Sequence, residues 1–429
     1  MVAPERLAAW VRGQYYGWTL VVVLGITTMV SYGTTYYAFG ALLIPITHAF
    51  GWSRGDVSGA YSLGLVVAGL AGVPVGAWVD RVGARWPMTL GSLITGISLM
   101  GLARIEHAWQ LYLLWGFGIG IGAALTFYPV SFTVVANWFN LRRGRALAWL
   151  TLIGGGASPI FIPLIGWLLP HIGWRATVVY LGLAQLLVAL PLHALFLRGR
   201  PEALGLTPDG AAAGVIPKGR PLAPSWTARG VLRHPAFWTL TAAFLLEQVA
   251  SAVVLVHQIP FLVDKGFGQP LAAAMAGLVG LVSLPGRFVL NVLSDRVSRS
   301  GLLAGVLVSQ ALALVLLILA DSEGWLYAYV LLTGLGYGTR SPLRAAIMGD
   351  VFGRGAFGAI FAIQGAAVSV LAATGPALAG WAYDRAGAYQ VVFSMMAAAL
   401  LVAAAVISWT PRGPAVPAPE GDAPATPQR

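Results

Sequence analysis

The 429 residues include no cysteine, so disulfides, thiol catalysis and thiolate metal sites are all excluded. Charge is scarce too: Asp, Glu, Lys and Arg make up 10% of the chain, whereas a soluble protein carries about 25%. The six histidines and fifteen acidic residues form no metal-ligand spacing and no nucleophile arrangement, so no metal, no cofactor and no enzyme chemistry is expected. The run Gly116–Gly122, "GFGIGIG", follows no strand and sits inside an apolar segment. It is therefore not a phosphate-binding loop, and it reads as small residues that let helices approach closely. A cleavable leader is not expected either. The first apolar stretch, from about Trp18, is too long for a signal-peptide core and lacks a small-residue cleavage site.

What the chain has in abundance is apolar length. Hydrophobic residues make up 58%, and the mean hydropathy is +0.78. A membrane-spanning helix needs about 20 apolar residues. By that measure the sequence predicts an all-α polytopic membrane protein with twelve transmembrane helices. The first six fall at roughly 18–46, 57–79, 86–104, 109–136, 146–169 and 175–197. The second six fall at roughly 237–263, 271–293, 302–320, 325–349, 356–383 and 389–409. The expected organisation is an N-terminal half (1–197), a Pro-, Gly- and Arg-rich central loop (198–236), a C-terminal half (237–410) and a disordered tail (411–429).

The net charge of +11 does not indicate nucleic acid, because the basic residues lie in short loops rather than in a patch. Eighteen of the 26 fall in the termini and the loops on the same side, and five on the other. The positive-inside rule then places both termini in the cytoplasm of a plasma (inner) membrane. The three left over, Arg287, Arg340 and Arg344, lie within spans.

The halves repeat each other at an offset of about 211 to 214 residues. "SFTVVANWF" in span 4 matches "RAAIMGDVF" in span 10, pairing Pro129 with Pro342 and Asn137 with Asp350. "IGWLLPHIGWRATVVY" likewise echoes "AGWAYDRAGAYQVVF". A six-helix unit used twice is the plan of transporters that hold substrate near the bilayer midplane and rock around it.

The turn between spans 2 and 3 carries Gly76, Asp80, Arg81, Gly83 and Arg85 in the order G-x-x-x-D-R-x-G-x-R. This resembles the signature of the major facilitator superfamily, in which the glycines give a tight turn and the charges latch span 2 to the neighbouring half. A degraded second copy runs from Asn291 to Asp295 and Arg296. Further stretches resemble the monocarboxylate transporter family and its bacterial relatives of the oxalate:formate antiporter type: "YYGW" before span 1, "NWFNLRRGRALAWLTLIGGGASP" leading into span 5, "RPEALGLTPDG" after span 6 and "HQIPFLVDKGF" in span 7. The resemblance implies that Arg287, in "SLPGRFVLNVLSDR", holds the substrate carboxylate. It also implies that spans 1, 4, 7 and 10 line the cavity while 3, 6, 9 and 12 face lipid. Three features depart from the family. Ser283 stands where animal members have Asp, span 1 has no lysine, and Gln364 is the nearest polar residue to the missing span 11 lysine.

At 1.5 Å per residue, Arg287 lies about 24 Å below the outer surface, Arg340 about 22 Å and Arg344 about 28 Å. Arg344 at that depth can snorkel or meet Asp350. Arg287 and Arg340 are the candidate anion contacts, because a guanidinium grips a carboxylate with two parallel hydrogen bonds. Glu247 is the only carboxylate within a span. It reads either as the structural partner of one of these arginines or as a proton site released when substrate arrives. His257 reads as a second proton site, as a substrate donor, or as a helix-packing residue. Tyr32 and Tyr36, one turn apart, with Tyr37, Thr126, Tyr128 and Trp149, are the candidates of the N-terminal half, each also readable as ordinary helix packing, and Ser283 lies beside Arg287.

The expected function is secondary active transport of a small organic monocarboxylate by alternating access, coupled to a proton. The expected partners are that anion, the proton and the lipid bilayer, with no nucleic acid and no obligate protein partner. A carboxylate exchanger is the rival reading. A drug or sugar porter, or a receptor on the same scaffold, is more distant, because two buried arginines and a buried acid suit an anion.

Overall fold

The computed structural model describes residues 15–210, 228–294, 296–352 and 357–409, whose regular structure is all helix, with no strand among them. The central-loop stretch 211–227, the tail beyond Trp409 and Asp295 of the second motif copy lie outside the described residues.

Helix α1 covers Tyr16–Phe50, α2 Arg54–Val82, α3 Arg85–Leu102 and α4 Ala108–Trp138. The run Arg143–Phe196 changes direction at Gly173, whose φ of 75° and ψ of 165° are non-helical, giving α5 (143–172) and α6 (174–196). Then follow α7 (Pro235–Asp264), α8 (Gln269–Leu293) and α9 (Arg299–Leu319). Helix α10 is Glu323–Tyr337 continued by Arg340–Phe352, α11 is Phe357–Ala372 continued by Gly375–Ala386, and α12 is Gln390–Ser408.

Among the described residues, nine runs are long and apolar enough to cross a membrane. The twelve of the sequence expectation differ from these nine in three places. Arg143–Phe196, at 54 residues, is one run that supplies two limbs. Helix α3 is diluted by Arg85, Pro87 and its serines, threonines and glycines. Helix α10 is interrupted at Gly338 and carries two arginines.

The interruptions follow from local chemistry. Pro129 and Pro342 each lack an N–H and crowd the preceding turn, and a break precedes each. The chain is extended at Phe127 (ψ 175°), and it leaves the helix at Gly338–Thr339. The repeat read from the sequence therefore places a break at the same point of α4 and α10. In α1 the turn Tyr32–Tyr36 is a π-helix, widened by one residue. The glycine run in α4 packs as expected: a Cβ on Gly120 would lie 2.8 Å from the Gly64 carbonyl oxygen of α2.

The halves meet at the end remote from the termini. Here Arg54 grips Asp264 through two bonds of 2.7 Å, crossing from α2 to α7. The Asp384 carboxylate of α11 accepts from the backbone N–H of Arg54 (3.0 Å) and of Gly55 (2.8 Å). The Arg54 guanidinium also lies 3.9 Å from the centre of the Tyr383 ring. Gly380 is needed here, since its Cβ would sit 2.7 Å from the Arg54 carbonyl oxygen. Close approach continues inward to Gly69 beside Val370 and Gly155 beside Leu284. A Cβ on Gly72, Gly76 or Gly144 would meet nothing within 4 Å, and Val73 is 76% exposed. The halves thus part toward the face that carries Tyr15 and Trp409.

Candidate functional site

A cavity with an empty volume of about 600 Å³, its open mouth included, lies between the halves. The N-terminal half contributes Tyr37 of α1 with Ser158 and Ile162 of α5, and the remaining walls come from α7, α8, α9, α10 and α12. The polar side chains of the C-terminal wall form two helical stripes. Ser251 and Gln258 are two turns apart on α7, while Tyr329, Thr333, Tyr337 and Arg340 descend α10 at spacings of four, four and three.

At one end of the cavity, Arg340 donates from Nη1 to both the Glu247 carboxylate and the Ser251 hydroxyl. Ser251 in turn donates to the same Glu247 oxygen (3.0 Å). The Arg340 Nε donates to the Tyr337 carbonyl (3.3 Å), and its guanidinium lies 4.4 Å from the Tyr337 ring centre. The side chains of Arg340 and Glu247 retain 11% and 9% exposure, so the ion pair is nearly withdrawn from solvent. At the other end, the Tyr329 hydroxyl donates to the Gln258 side-chain oxygen at 2.7 Å.

The residues singled out from the sequence divide around this cavity. Arg340 is on its wall and Glu247 is bonded to Arg340. Arg287 is not among the lining residues. It lies along Gly338, where a Cβ would collide with its Cγ, and its Nε is buried with no hydrogen-bond partner among the described residues. Ser283 is turned into its own helix, donating to the Gly280 carbonyl at 2.6 Å. His257 is fully buried between α7, α11 and the start of α12. Its Nε2 faces the Pro376 carbonyl (2.9 Å), which can only accept, so Nε2 carries the proton and Nδ1 accepts from the Tyr389 hydroxyl (2.9 Å).

Tyr32, Tyr36 and Tyr128 gather in an aromatic cluster beside the cavity. Tyr32 stacks on Phe127 at 3.9 Å and stands 5.6 Å from Tyr36 and 5.0 Å from Tyr128. Tyr32 and Tyr36 stay in ring contact across the π turn, and Tyr37 is the residue of this segment that reaches the cavity wall.

Of the two readings of Arg344, the one in which it meets Asp350 is not what the structure has. Arg344 donates from Nε to Gln364 (3.1 Å) between the rings of Phe244 and Phe361, while Asp350 binds Arg299 at 2.7 and 2.9 Å. Six residues along a helix are two-thirds of a turn out of phase, so the two side chains face different neighbours.

The turn motif ties its own half together. Gly83 (φ 81°) packs on Gly199, Arg85 donates to the Ala194 carbonyl (2.7 Å), and Arg200 donates to the Asp80 carbonyl oxygen (3.3 Å). Asp80, Arg81 and Arg296 are exposed, and among the described residues no bond carries this motif across to the other half. The cross-half ion pair is instead Arg54–Asp264 at the opposite end.

Sequence reasoning missed Ser251, Gln258, Gln310, Tyr329 and Thr333. For Ser251 a signal existed: it follows Glu247 by one turn and so shares its face. The reading that spans 9 and 12 face only lipid also needs correction, since Gln310 and Leu314 of α9 and Leu400 of α12 line the cavity.

Comparison with known proteins agrees with this architecture. The family model of the Major Facilitator Superfamily matches residues 24–322 and 275–428. Monocarboxylate transporter 13 of Bos taurus is 27% identical over 402 residues, covering 92% of this chain and 89% of that protein. Monocarboxylate transporter 11 of Homo sapiens is 28% identical over 416 residues, covering 92% and 83%. An uncharacterized MFS-type transporter of Bacillus subtilis is 23% identical over 367 residues, covering 83% and 86%. A bacterial homolog of the human lysosomal transporter Spinster, solved inward-facing and unoccupied, superposes with a TM-score of 0.70 at 16% identity, covering 92% of this chain and 95% of that one. The chain belongs to the major facilitator superfamily and is a multi-pass membrane transporter.

Proposed function

We propose that the protein carries an organic monocarboxylate together with a proton, with Arg340 as the anion contact and Glu247 as the proton carrier. The observation that supports this reading is the Arg340–Glu247–Ser251 cluster, a nearly dry ion pair on the wall of the cavity between the halves. A carboxylate substrate presents the same group that Glu247 presents to the guanidinium. Substrate binding then displaces Glu247, and a buried carboxylate without its cation takes up a proton. Loading the substrate and loading the proton are one event. His257 is less suited to the role, since both its ring nitrogens are engaged and it stands off the cavity wall. The naming of several relatives as monocarboxylate transporters supports the substrate class. If the termini are cytoplasmic, as the positive-inside count implies, the parting of the halves makes this the inward-facing state.

The test is uptake of labelled monocarboxylates into proteoliposomes with an imposed inward proton gradient. Accumulation that collapses on adding a protonophore is expected. Uptake that ignores the gradient and needs a loaded counter-anion would replace symport with exchange.

A further inference from the structure

The cavity is too long and too apolar for a two- or three-carbon acid. Two cross-links between α7 and α10 bracket it, Ser251 with Arg340 and Gln258 with Tyr329. The two α7 residues are seven positions apart, or about 10 Å along the axis. A three-carbon acid built from ~1.5 Å bonds spans roughly 4 Å and would occupy less than half of that length. Beyond Arg340 the walls are chiefly Ile162, Val254, Val279, Leu314 and Leu400, from five different helices. Gln310 lines the cavity part way along: a Cβ on Gly336, one turn before Arg340, would lie 3.5 Å from its amide nitrogen, a buried donor with no acceptor among the described residues.

We infer that this cavity selects monocarboxylates with an apolar body of about six to ten carbons, aromatic or medium-chain, and favours those with a hydrogen-bond acceptor on that body. The inference rests on the carboxylate reading of Arg340 and adds the arm beyond it. The carboxylate sits at Arg340, the apolar body fills the arm, and an oxygen on that body accepts from the Gln310 amide turned toward it. A short acid leaves the arm unfilled, so the lining atoms lack contacts that a longer ligand supplies.

The experiment measures affinities of the full-length protein in lipid nanodiscs for acetate, butyrate, hexanoate and octanoate, and for phenylacetate against 4-hydroxyphenylacetate. Affinity is expected to rise roughly three- to fourfold per methylene, and 4-hydroxyphenylacetate is expected to bind severalfold tighter than phenylacetate. Gln310→Leu should erase that last difference. Ala276→Leu, which fills the arm, should cost octanoate at least tenfold more than it costs acetate, and Leu314→Ala, which enlarges the arm, should raise the optimum chain length. A flat series, or a methylene dependence that is the same in Ala276→Leu and Leu314→Ala as in the wild type, overturns the inference and leaves the carboxylate reading intact. Equal binding of phenylacetate and phenylacetamide, unaltered in Arg340→Gln, overturns the carboxylate reading and this inference with it.

Discussion

Replacing Glu247 with Gln probes the proposed coupling directly, because the amide keeps the size and the hydrogen bond to Ser251 but cannot carry charge. On the proposed reading, an incoming anion competes with the Glu247 carboxylate for Arg340 in the wild type. Breaking a buried ion pair by removing one partner costs about 3–5 kcal/mol. The pair here borders an open cavity, so water moderates the loss and about 2–3 kcal/mol is the fitting figure. The variant therefore has two opposite faults. Empty, it carries a nearly dry, uncompensated guanidinium and is less stable. Loaded, it regains a counter-charge without displacing one, so anion affinity should rise by the same free energy, roughly 30- to 150-fold. Binding of a labelled monocarboxylate in nanodiscs at pH 5.5 and 7.5 reads both effects. The wild type should bind more tightly at the lower pH, while Glu247→Gln should bind tightly at both and be strongly stabilised by the ligand. In proteoliposomes the variant should exchange substrate yet fail to accumulate it against a gradient. Weaker binding in Glu247→Gln, with its pH dependence intact, would refute the displacement argument and leave Glu247 a structural counter-ion.

Two other predictions concern the surfaces. The Arg54–Asp264 pair is partly exposed, at 11% and 29% of the side chains, so Asp264→Asn should release about 1 kcal/mol of the contact that closes the halves. Since the chain lacks cysteine, a single cysteine at Gly72 reports the open face, and its labelling should slow severalfold in Asp264→Asn; unchanged labelling would remove the latch from the mechanism. Asp209 accepts from the backbone N–H groups of Leu141 (2.7 Å), Asn140 (2.8 Å) and Arg142 (3.1 Å); partial burial alone would raise its pKa, but these bonds hold it below the usual 3.8. A depressed folded value means that the stabilisation is complete above pH 3.8 and is lost as pH falls through the lower folded value. Asp209→Ala should therefore cost about 1 kcal/mol uniformly from pH 5 to 8, and a stability difference that fades within that window would show the bonds to be unimportant.

The elements of the fold were legible because a bilayer imposes one simple demand, about 20 apolar residues per helix. Their finer form was not. The π turn at Tyr32–Tyr36 has no apolar signature, and spacing alone did not single out Tyr37 as the tyrosine beside it that lines the cavity. The site was legible in height and not in azimuth. Counting residues from the membrane surface put Arg287 and Arg340 at one depth, but which neighbour each faces depends on the packing rotation of α8 and α10. That rotation sets Arg340 against Glu247 and lays Arg287 along Gly338. Arg54, Lys265 and Arg385 entered the sequence reading only as orientation signals. Pairing Arg54 with Asp264, 210 positions away, required the tertiary structure.

The two halves share a backbone plan but not a chemistry, and this bears on how the transporter moves. At the break in α4 the chain places Phe127 and Tyr128 against Tyr32. At the equivalent break in α10 it places Arg340 against Glu247. All the deep charges lie on α7, α8 and α10, and the N-terminal half faces the cavity with Tyr37, Ser158 and Ile162. An anion held by Arg340 is thus bound to one half and slides past a neutral wall of the other. Rocking one half against the other then needs no charge contact to break at mid-membrane. The charged contacts that cross between the halves are at the far end, where Arg54 meets Asp264 and Asp384 caps the N-terminus of α2. Substrate chemistry and gate opening are therefore separable. Substitutions at Glu247 or Arg340 should change affinity and proton dependence with little effect on which face is open. Substitutions at Asp264 or Asp384 should shift the open face with little effect on the intrinsic affinity of Arg340 for a carboxylate.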